Sequence, residues 1–365
     1  MDAVSKQHEV VVVGAGQSGL ALGYFLSKRD RDFTILEGGD EPGPAWRGRW
    51  DSLKLFTPAR YSGLPGLAFP GDPDHYPTRD EVTSYLADYA RHFDLPVELD
   101  SRVRRVTKSN GAYAIELEGR ALEAEQVVIA TGPFQVPFVP SIAAGLGFGV
   151  TQLHTSAYRR PGDIPEGRVL VVGGGNSGYQ IAEELSTSHQ VHLAIGSPQK
   201  PLPQRLLGRD LFWYLDRTGI IRKSRETRIG RKLERDALIG SSPRSIRRHG
   251  VELHARAVKA EGSTVTFEDG TTLDPRTVIW ATGYRLDHSW IDLPIFDTKG
   301  RLEHERGVTA SPGLYFLGLT WQHTRGSALI GFVEDDAAYI ADQIRAYRPI
   351  SAASDREAVA AGADT

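Results

Sequence analysis

Gly173, Gly175 and Gly178 stand at the spacing that lets a main chain take hold of phosphate. The apolar run Val169 to Val172 enters Gly173-x-Gly175-x-x-Gly178, and a helical pattern from Gln180 to Leu185 follows. Strand, tight turn and helix in that order suit a dinucleotide pyrophosphate. Two glycines let the backbone approach the phosphates, and the third lets helix and strand pack closely. Asn176 and Ser177 then fall at the helix start, where unpaired N–H groups and a partial positive charge meet an anion. The same arrangement occurs near the beginning of the chain. Glu9 to Val13 enters Gly14-x-Gly16-x-x-Gly19, with Gln17 and Ser18 inside the turn as candidate cofactor contacts, and the helical pattern Leu20 to Leu26 follows. The next strand, Phe33 to Leu36, ends in Glu37, about 20 residues on, where a carboxylate accepts hydrogen bonds from ribose hydroxyls.

The elements that must position these groups also repeat. Val127-Val-Ile-Ala-Thr-Gly132 in the first half returns as Val278-Ile-Trp-Ala-Thr-Gly283 in the second. A repeat of this length predicts an α/β protein of two Rossmann-like, three-layer domains, each binding a dinucleotide. Because chains with two such loops commonly bind FAD in the first and NAD(P)H in the second, an FAD-binding domain interrupted by an inserted NAD(P)H-binding domain is expected. The expected boundaries are 1–163 plus 285–347 for the FAD unit and 164–284 for the NAD(P)H unit, with 351–365 a disordered tail. The 365 residues, 40% hydrophobic with a net charge of −3, are ordinary globular material and give no sign of a nucleic-acid partner. Met1 to Glu9 is polar, and no apolar run approaches the ~18 residues that span a bilayer, so a cytoplasmic location without membrane association is expected. Cysteine is absent. Many chains with two such loops relay electrons through a Cys-x-x-Cys pair. Here electrons must leave the flavin for oxygen, a soluble acceptor or a protein partner.

Several further residues are candidate cofactor contacts. The Pro- and Gly-rich stretch from Gly43 to Pro77 is long for a connection, which marks it as functional, and Trp46 with Leu55-Phe56-Thr57 is expected to wall the flavin. Val103, Thr131 and Gly132 are expected along the first dinucleotide, and Ala328, Leu329 and Ile330 against the flavin pyrimidine, where a following helix favours negative charge. Thr78 and Glu81 form a capping box before a helix with apolar positions Val82, Tyr85, Leu86, Tyr89 and Phe93. Strands from Val97 to Ala130 are expected to add a small antiparallel layer over the parallel sheet. In the second half no acid follows the strand from Val191, so Ser197, Lys200 and Arg205 are the candidates for a 2′-phosphate, and NADPH is favoured with NADH also accepted. The basic segment 206–248 reads as a solvated face, with a lid over an anionic ligand as the alternative.

Phe148, His154 and Tyr158 fall on the F-x-G-x-x-x-H-x-x-x-[FY] linker, although Val150 stands at the glycine place and the glycine is one residue early, at Gly149. With the Ala-Thr-Gly-Tyr284 element, the chain resembles the class B flavoprotein monooxygenases, in particular the flavin-containing monooxygenases, from Glu9 to about Tyr339. The resemblance implies that NADPH reduces FAD, that reduced flavin takes up O₂, and that a C4a-hydroperoxide oxygenates a small sulfide or amine, with a homodimer usual. It implies a structural role between the domains for His154. The family's flavin loop carries an Asn that holds the oxygenated flavin, and Phe56 occupies that place here. The expectation is therefore uncoupling, or a compensating donor at Thr57 or Gln322. Baeyer–Villiger enzymes end the linker in Trp-Pro, whereas Tyr158-Arg-Arg-Pro161 stands here, which makes ketones the second choice. An NAD(P)H:acceptor oxidoreductase and a dinucleotide sensor remain alternatives.

Overall fold

A computed structural model describes residues 6–233 and 237–348, so the expected tail at 351–365 lies outside the described residues. At its centre the strand Lys6–Val13 runs parallel to Phe33–Leu36 on one side and to Ala121–Ile129 on the other. Val97–Glu98 and Leu314–Phe316 extend the sheet outward in the same parallel sense. Val10, Val11 and Val12 are wholly buried, because a parallel sheet is covered on both faces and an unbroken apolar run suits both. Val10 and Val12 pack beneath the helices Gln17–Ser27, Arg79–His92 and Glu334–Ala346. Val11 and Val13 face Val106, Tyr113 and Ile291 on the other side.

The helix Arg79–His92 begins where the capping box places it. Thr78 Oγ1 accepts from the Glu81 amide, and the Glu81 carboxylate accepts from the Thr78 amide at 2.8 Å. The antiparallel hairpin Arg105–Ser109 and Ala112–Glu116 lies over the sheet, with Val106, Tyr113 and Ile115 packed on the Val11 and Val13 face. It hydrogen-bonds onto Ala121–Ile129, whose nine residues pair first with Ala112–Glu116 and then with Leu314–Phe316 along one edge. The length of that strand lets the hairpin fold over the sheet while sharing its hydrogen bonds.

The second sheet is wholly parallel, in the spatial order Glu252–His254, Gln190–Ala194, Arg168–Val172, Thr277–Trp280 and Thr151–His154. The helix Asn176–Leu185 covers one face, and an antiparallel meander, Ala257–Glu261, Thr264–Phe267 and Thr272–Leu273, covers the other. Thr151–His154 lies in this sheet, so the second unit takes in chain from 151 and not from 164. The strand supplies a partner to Thr277–Trp280, which would otherwise be an open edge. The chain crosses between the sheets where Val136–Pro137 pairs antiparallel with Tyr284–Arg285. The two units also share a core, since Trp50 and Leu53 of the long loop are buried among Tyr158, Tyr179 and Ile181.

Candidate functional site

The two glycine turns have one geometry. Gly14 and Gly173 adopt φ of +108° and +131°, where only glycine sits without strain. A Cβ on Gly14 would lie 2.8 Å from the Ala130 carbonyl oxygen, and one on Gly173 would collide with the Ala281 carbonyl. A Cβ on Gly19 or on Gly178 would overlap the carbonyl of Gly14 or Gly173, so the third glycine lets helix and turn touch. The middle glycines differ. Nothing lies within 4 Å of a Cβ on Gly16, and only Gln199 Nε2, at 3.9 Å, approaches one on Gly175. Both helices start at these open glycines with no side-chain cap and no acidic residue in the first turn. Their leading N–H groups are thus left for an anion.

Around the first turn, both Glu37 carboxylate oxygens accept backbone amides, from Ala15 at 2.8 Å and Gly39 at 3.0 Å. The carboxylate is buried and held beside the turn, with lone pairs remaining for a ribose. The segment leading to Val103 runs along it, as the Ser101 amide donates to the Glu37 carbonyl at 2.7 Å. Gln17 gathers two distant elements. Its carbonyl accepts from the Trp46 indole at 2.9 Å, and its amide donates to the Ala328 carbonyl at 3.4 Å, which brings the turn before Leu329 to the helix start. Ser18 is buried against Gly318. Gln135 reaches over Thr131 Oγ1 and the Gly132 carbonyl, both at 2.9 Å.

Around the second turn, Asn176 is engaged elsewhere. Its side-chain amide clamps the Ala237 carbonyl and the Ile239 amide, and so holds the basic insertion over the turn. Ser177 is half-buried, and Ser197 and Lys200 are exposed. The Arg205 guanidinium donates to the Gly208 carbonyl inside a hairpin. Neighbouring Gln204 ties that hairpin to the Phe56 carbonyl at 2.8 Å. A cation that the sequence reading missed stands at the strand end instead. Arg256 Nη2 donates to the Gly196 carbonyl at 2.7 Å and to Ser197 Oγ at 3.2 Å. Its signal is faint, because Arg256 lies beyond a different strand and only the parallel pairing of Ala194 with His254 brings it here.

The basic insertion is not merely a solvated face. Phe212 and Ile221 are buried with Phe332, and Phe212 stacks on Phe56 at 5.9 Å between ring centroids. The Arg225 amide and Ser224 meet His323 and Thr324, so the insertion closes against the loop that follows Gly318. Apolar contacts decide its place while its charges point outward. The two expected compensating donors are both occupied. Thr57 is buried with its hydroxyl 3.0 Å from Ser62 Oγ. Gln322 is bonded through its carbonyl to the Leu319 amide and through its amide to the Arg306 carbonyl, each at 3.3 Å. Beside it, Trp321 adopts φ of +56°, unusual for a bulky residue, and its buried indole N–H has no partner among the described residues.

At the crossing, the half-buried Arg49 donates to the Tyr284 hydroxyl at 2.7 Å and lies over the rings of Phe134 and Tyr284. Burial pulls its guanidinium below the ordinary arginine value. His154 Nε2 lies 2.9 Å from the Gly283 carbonyl, with its ring edge-on to Tyr284, and burial holds its pKa below 6.5. Phe148 is fully exposed, whereas Val150 is buried. A cavity of about 860 Å³ opens beside the crossing, lined by Phe134, Tyr284, Leu286, His288, Phe296 and Leu319.

The family model for pyridine nucleotide-disulphide oxidoreductases matches residues 11–203. The chain belongs to that family. An uncharacterized oxidoreductase CzcO-like of Geobacillus kaustophilus is 42% identical over 92% of this chain and 98% of its own. The flavin-containing monooxygenase from Stenotrophomonas maltophilia superposes with a TM-score of 0.80 at 29% identity, covering 93% of this chain and 99% of that one. The probable indole-3-pyruvate monooxygenase YUCCA7 of Arabidopsis thaliana is 29% identical over 87% of this chain and 84% of its own. The protein is an oxidoreductase, and over most of its length it is similar to flavoprotein monooxygenases of class B type. Its chain lacks the cysteines that the family's disulphide chemistry needs. FAD and a nicotinamide cofactor are what this membership implies, and the residues fit them. Two uncapped helix starts face open glycines, and the first carries a buried carboxylate at its rim. Among the described residues no helix is long and apolar enough to cross a membrane.

Proposed function

We propose that this protein is an NADPH-dependent FAD monooxygenase that places one oxygen atom of O₂ on a sulfide or amine and releases the other as water. The observation that carries the reading is the pairing of two open phosphate turns with an aromatic wall, in a chain without cysteine. FAD, when bound, supplies hydride acceptance and oxygen activation. The chain's residues bind and exclude water. Gly16 and Gly175 admit the two pyrophosphates, and Glu37 holds the FAD ribose. Trp46 and Leu55 border the flavin, while the stacked Phe56 and Phe212 keep bulk water out. No acid stands at the end of Gln190–Ala194, which supports NADPH over NADH.

With Thr57 and Gln322 bonded internally and Phe56 unable to donate, activated oxygen is weakly held, and substrate-free turnover releases H₂O₂. A homodimer and a cytoplasmic location accompany the reading, testable by light scattering and by fractionation. The deciding experiment is anaerobic reduction of the flavin by NADPH and by NADH, followed by mixing with aerated buffer under spectral recording. A transient between the reduced and oxidised spectra, followed by oxygenated sulfide or amine, is expected. Reoxidation without a transient or a product, together with rapid reduction of quinones or dyes, would replace the oxygenase with an acceptor oxidoreductase. A second reading takes a 2-oxo acid, the substrate class in the name of the Arabidopsis relative. Arg49 favours it, because its half-buried guanidinium has a tyrosine hydroxyl and two rings for partners, and no carboxylate among the described residues. Product analysis with 2-oxo acids, sulfides and amines side by side separates the two.

A further inference from the structure

We propose that Arg256, with Ser197, forms the subsite that takes the 2′-phosphate of NADPH, and that the nicotinamide cofactor is chosen from a strand that does not carry the glycine turn. This rests on the reading that the second turn holds a nicotinamide dinucleotide.

In a strand–turn–helix dinucleotide unit, the end of the second strand faces the adenosine ribose. That strand is Gln190–Ala194, and it runs out into Ile195 and Gly196. An NAD site places an acid there, and this chain has Gly196. A Cβ on Gly196 would stand 2.9 Å from Arg256 Cζ and 3.0 Å from Nη1. The guanidinium therefore fills the space in which a side chain at 196 would begin. The glycine is the opening that admits it.

The route is set by the sheet. Glu252–His254 is the parallel neighbour of Gln190–Ala194, and the Ile195 amide donates to the His254 carbonyl at 3.0 Å, carrying the pairing one step further. Two residues on, the Arg256 backbone is fixed by the Glu268 amide, which donates to its carbonyl at 2.8 Å. The side chain is then pinned by the two bonds from Nη2 to Gly196 O and Ser197 Oγ. Both use one nitrogen. Nη1 and Nε have no partner among the described residues, and no carboxylate there pairs with the charge. A planar guanidinium with free N–H groups suits a phosphate that it can grip from two sides. Ser197, which accepts from Arg256, keeps its own proton for a phosphate oxygen. The earlier candidate Arg205 is turned toward Gly208, and Lys200 is fixed through its carbonyl, which accepts from the Leu238 amide at 3.1 Å, with no hydrogen bond from its side chain among the described residues.

The test uses the flavin-loaded protein and its Arg256→Gln and Arg256→Lys variants. Binding of 2′,5′-ADP and of 5′-AMP is titrated calorimetrically, and flavin reduction by NADPH and by NADH is followed anaerobically. In the parent, 2′,5′-ADP binds more tightly than 5′-AMP. In Arg256→Gln the ratio of the two affinities, and the NADPH:NADH ratio of kcat/KM, fall about tenfold to a hundredfold, the scale of a hydrogen bond to a charged group. Arg256→Lys recovers part of the loss, and the parent's preference for 2′,5′-ADP shrinks with added salt. Ratios unchanged in Arg256→Gln overturn the proposal, as does equal binding of both nucleotides by the parent. Tight 2′,5′-ADP binding lost in Arg256→Gln, without oxygenation of any substrate, upholds the subsite and overturns the oxygenase.

Discussion

Gly14 and Gly173 share a left-handed turn, each is followed two residues on by a glycine facing open space, and each lies against the Ala-Thr-Gly segment of its own half. The rims differ. Beside the first turn stands the carboxylate of Glu37, fixed by two backbone amides, and beside the second stands the guanidinium of Arg256 over a glycine. On the proposed reading, the likeness serves what two dinucleotides have in common, a pyrophosphate, and the difference in rim charge is what tells them apart. Asn176 adds a second contrast, because the later turn also carries the bonds that hold the segment around Ala237 and Ile239.

The largest effects come from filling the closed glycines. Gly19→Ala and Gly178→Ala each drive a Cβ into a carbonyl that cannot yield. The expected cost is about 3 kcal/mol in each, the upper range of overpacking, read as a lowered denaturant midpoint. Their consequences separate the halves: Gly19→Ala loses bound flavin, while Gly178→Ala keeps the yellow colour and loses reduction by NADPH. Gly16→Ala sharpens this further. Its methyl meets open space, so apoprotein stability stays within about 0.5 kcal/mol while FAD affinity falls. Loss of stability equal to that of Gly19→Ala would show that the middle glycine serves the fold.

Next in size is the rim charge. Glu37→Gln is expected to weaken FAD binding by about 1.5 to 3 kcal/mol, measured by titrating apoprotein with FAD, because a charged acceptor becomes neutral. An unchanged affinity would remove the contrast with Arg256. A broader effect reaches both halves through pH. Burial holds the pKa of His192, His254, His288, His304 and His154 below the ordinary 6.5. A histidine kept neutral in the fold binds fewer protons folded than unfolded, so its stabilisation is complete above pH 6.5 and is lost as pH falls through that value toward the folded pKa. The urea midpoint should be level above about pH 7 and decline below about 6.5. A level midpoint down to about pH 5 contradicts this.

Most of the fold was legible because its signals are local. The glycine turns, the capping box at Thr78 and the unbroken valines of Lys6–Val13 each report a strand, a helix start or a parallel sheet within a dozen residues. What the sequence hid was pairing between distant pieces. Thr151–His154 joins the second sheet on the edge of Thr277–Trp280 that Arg168–Val172 leaves free, which its own four residues do not announce. Arg256 reaches Gly196 only through a parallel register, and Thr57 and Gln322 look like free donors until their partners fold around them. The basic segment misled for a related reason. Its many arginines outnumber Phe212, Ile221, Leu238 and Ile246, yet these four are buried while its arginines among the described residues are exposed.

That segment supplies the smallest effect. Arg222 pairs with Asp216 and Asp335 and lies 5.7 Å from the centroid of the Phe332 ring, which places it between the insertion and the first half. All three side chains are a third or more exposed, where water screens the attraction and ordering long side chains offsets much of it. Phe212, by contrast, is buried against Phe56 and Phe332, and removing apolar surface from water needs no exposed partner. Arg222→Ala should therefore lower stability by about 0.5 kcal/mol and less in high salt, with the insertion still resistant to protease. If Arg222→Ala instead exposed residues 206–248 to cleavage in the folded protein, electrostatics would be the clamp. The second half would then differ from the first in how it is held shut as well as in what it binds.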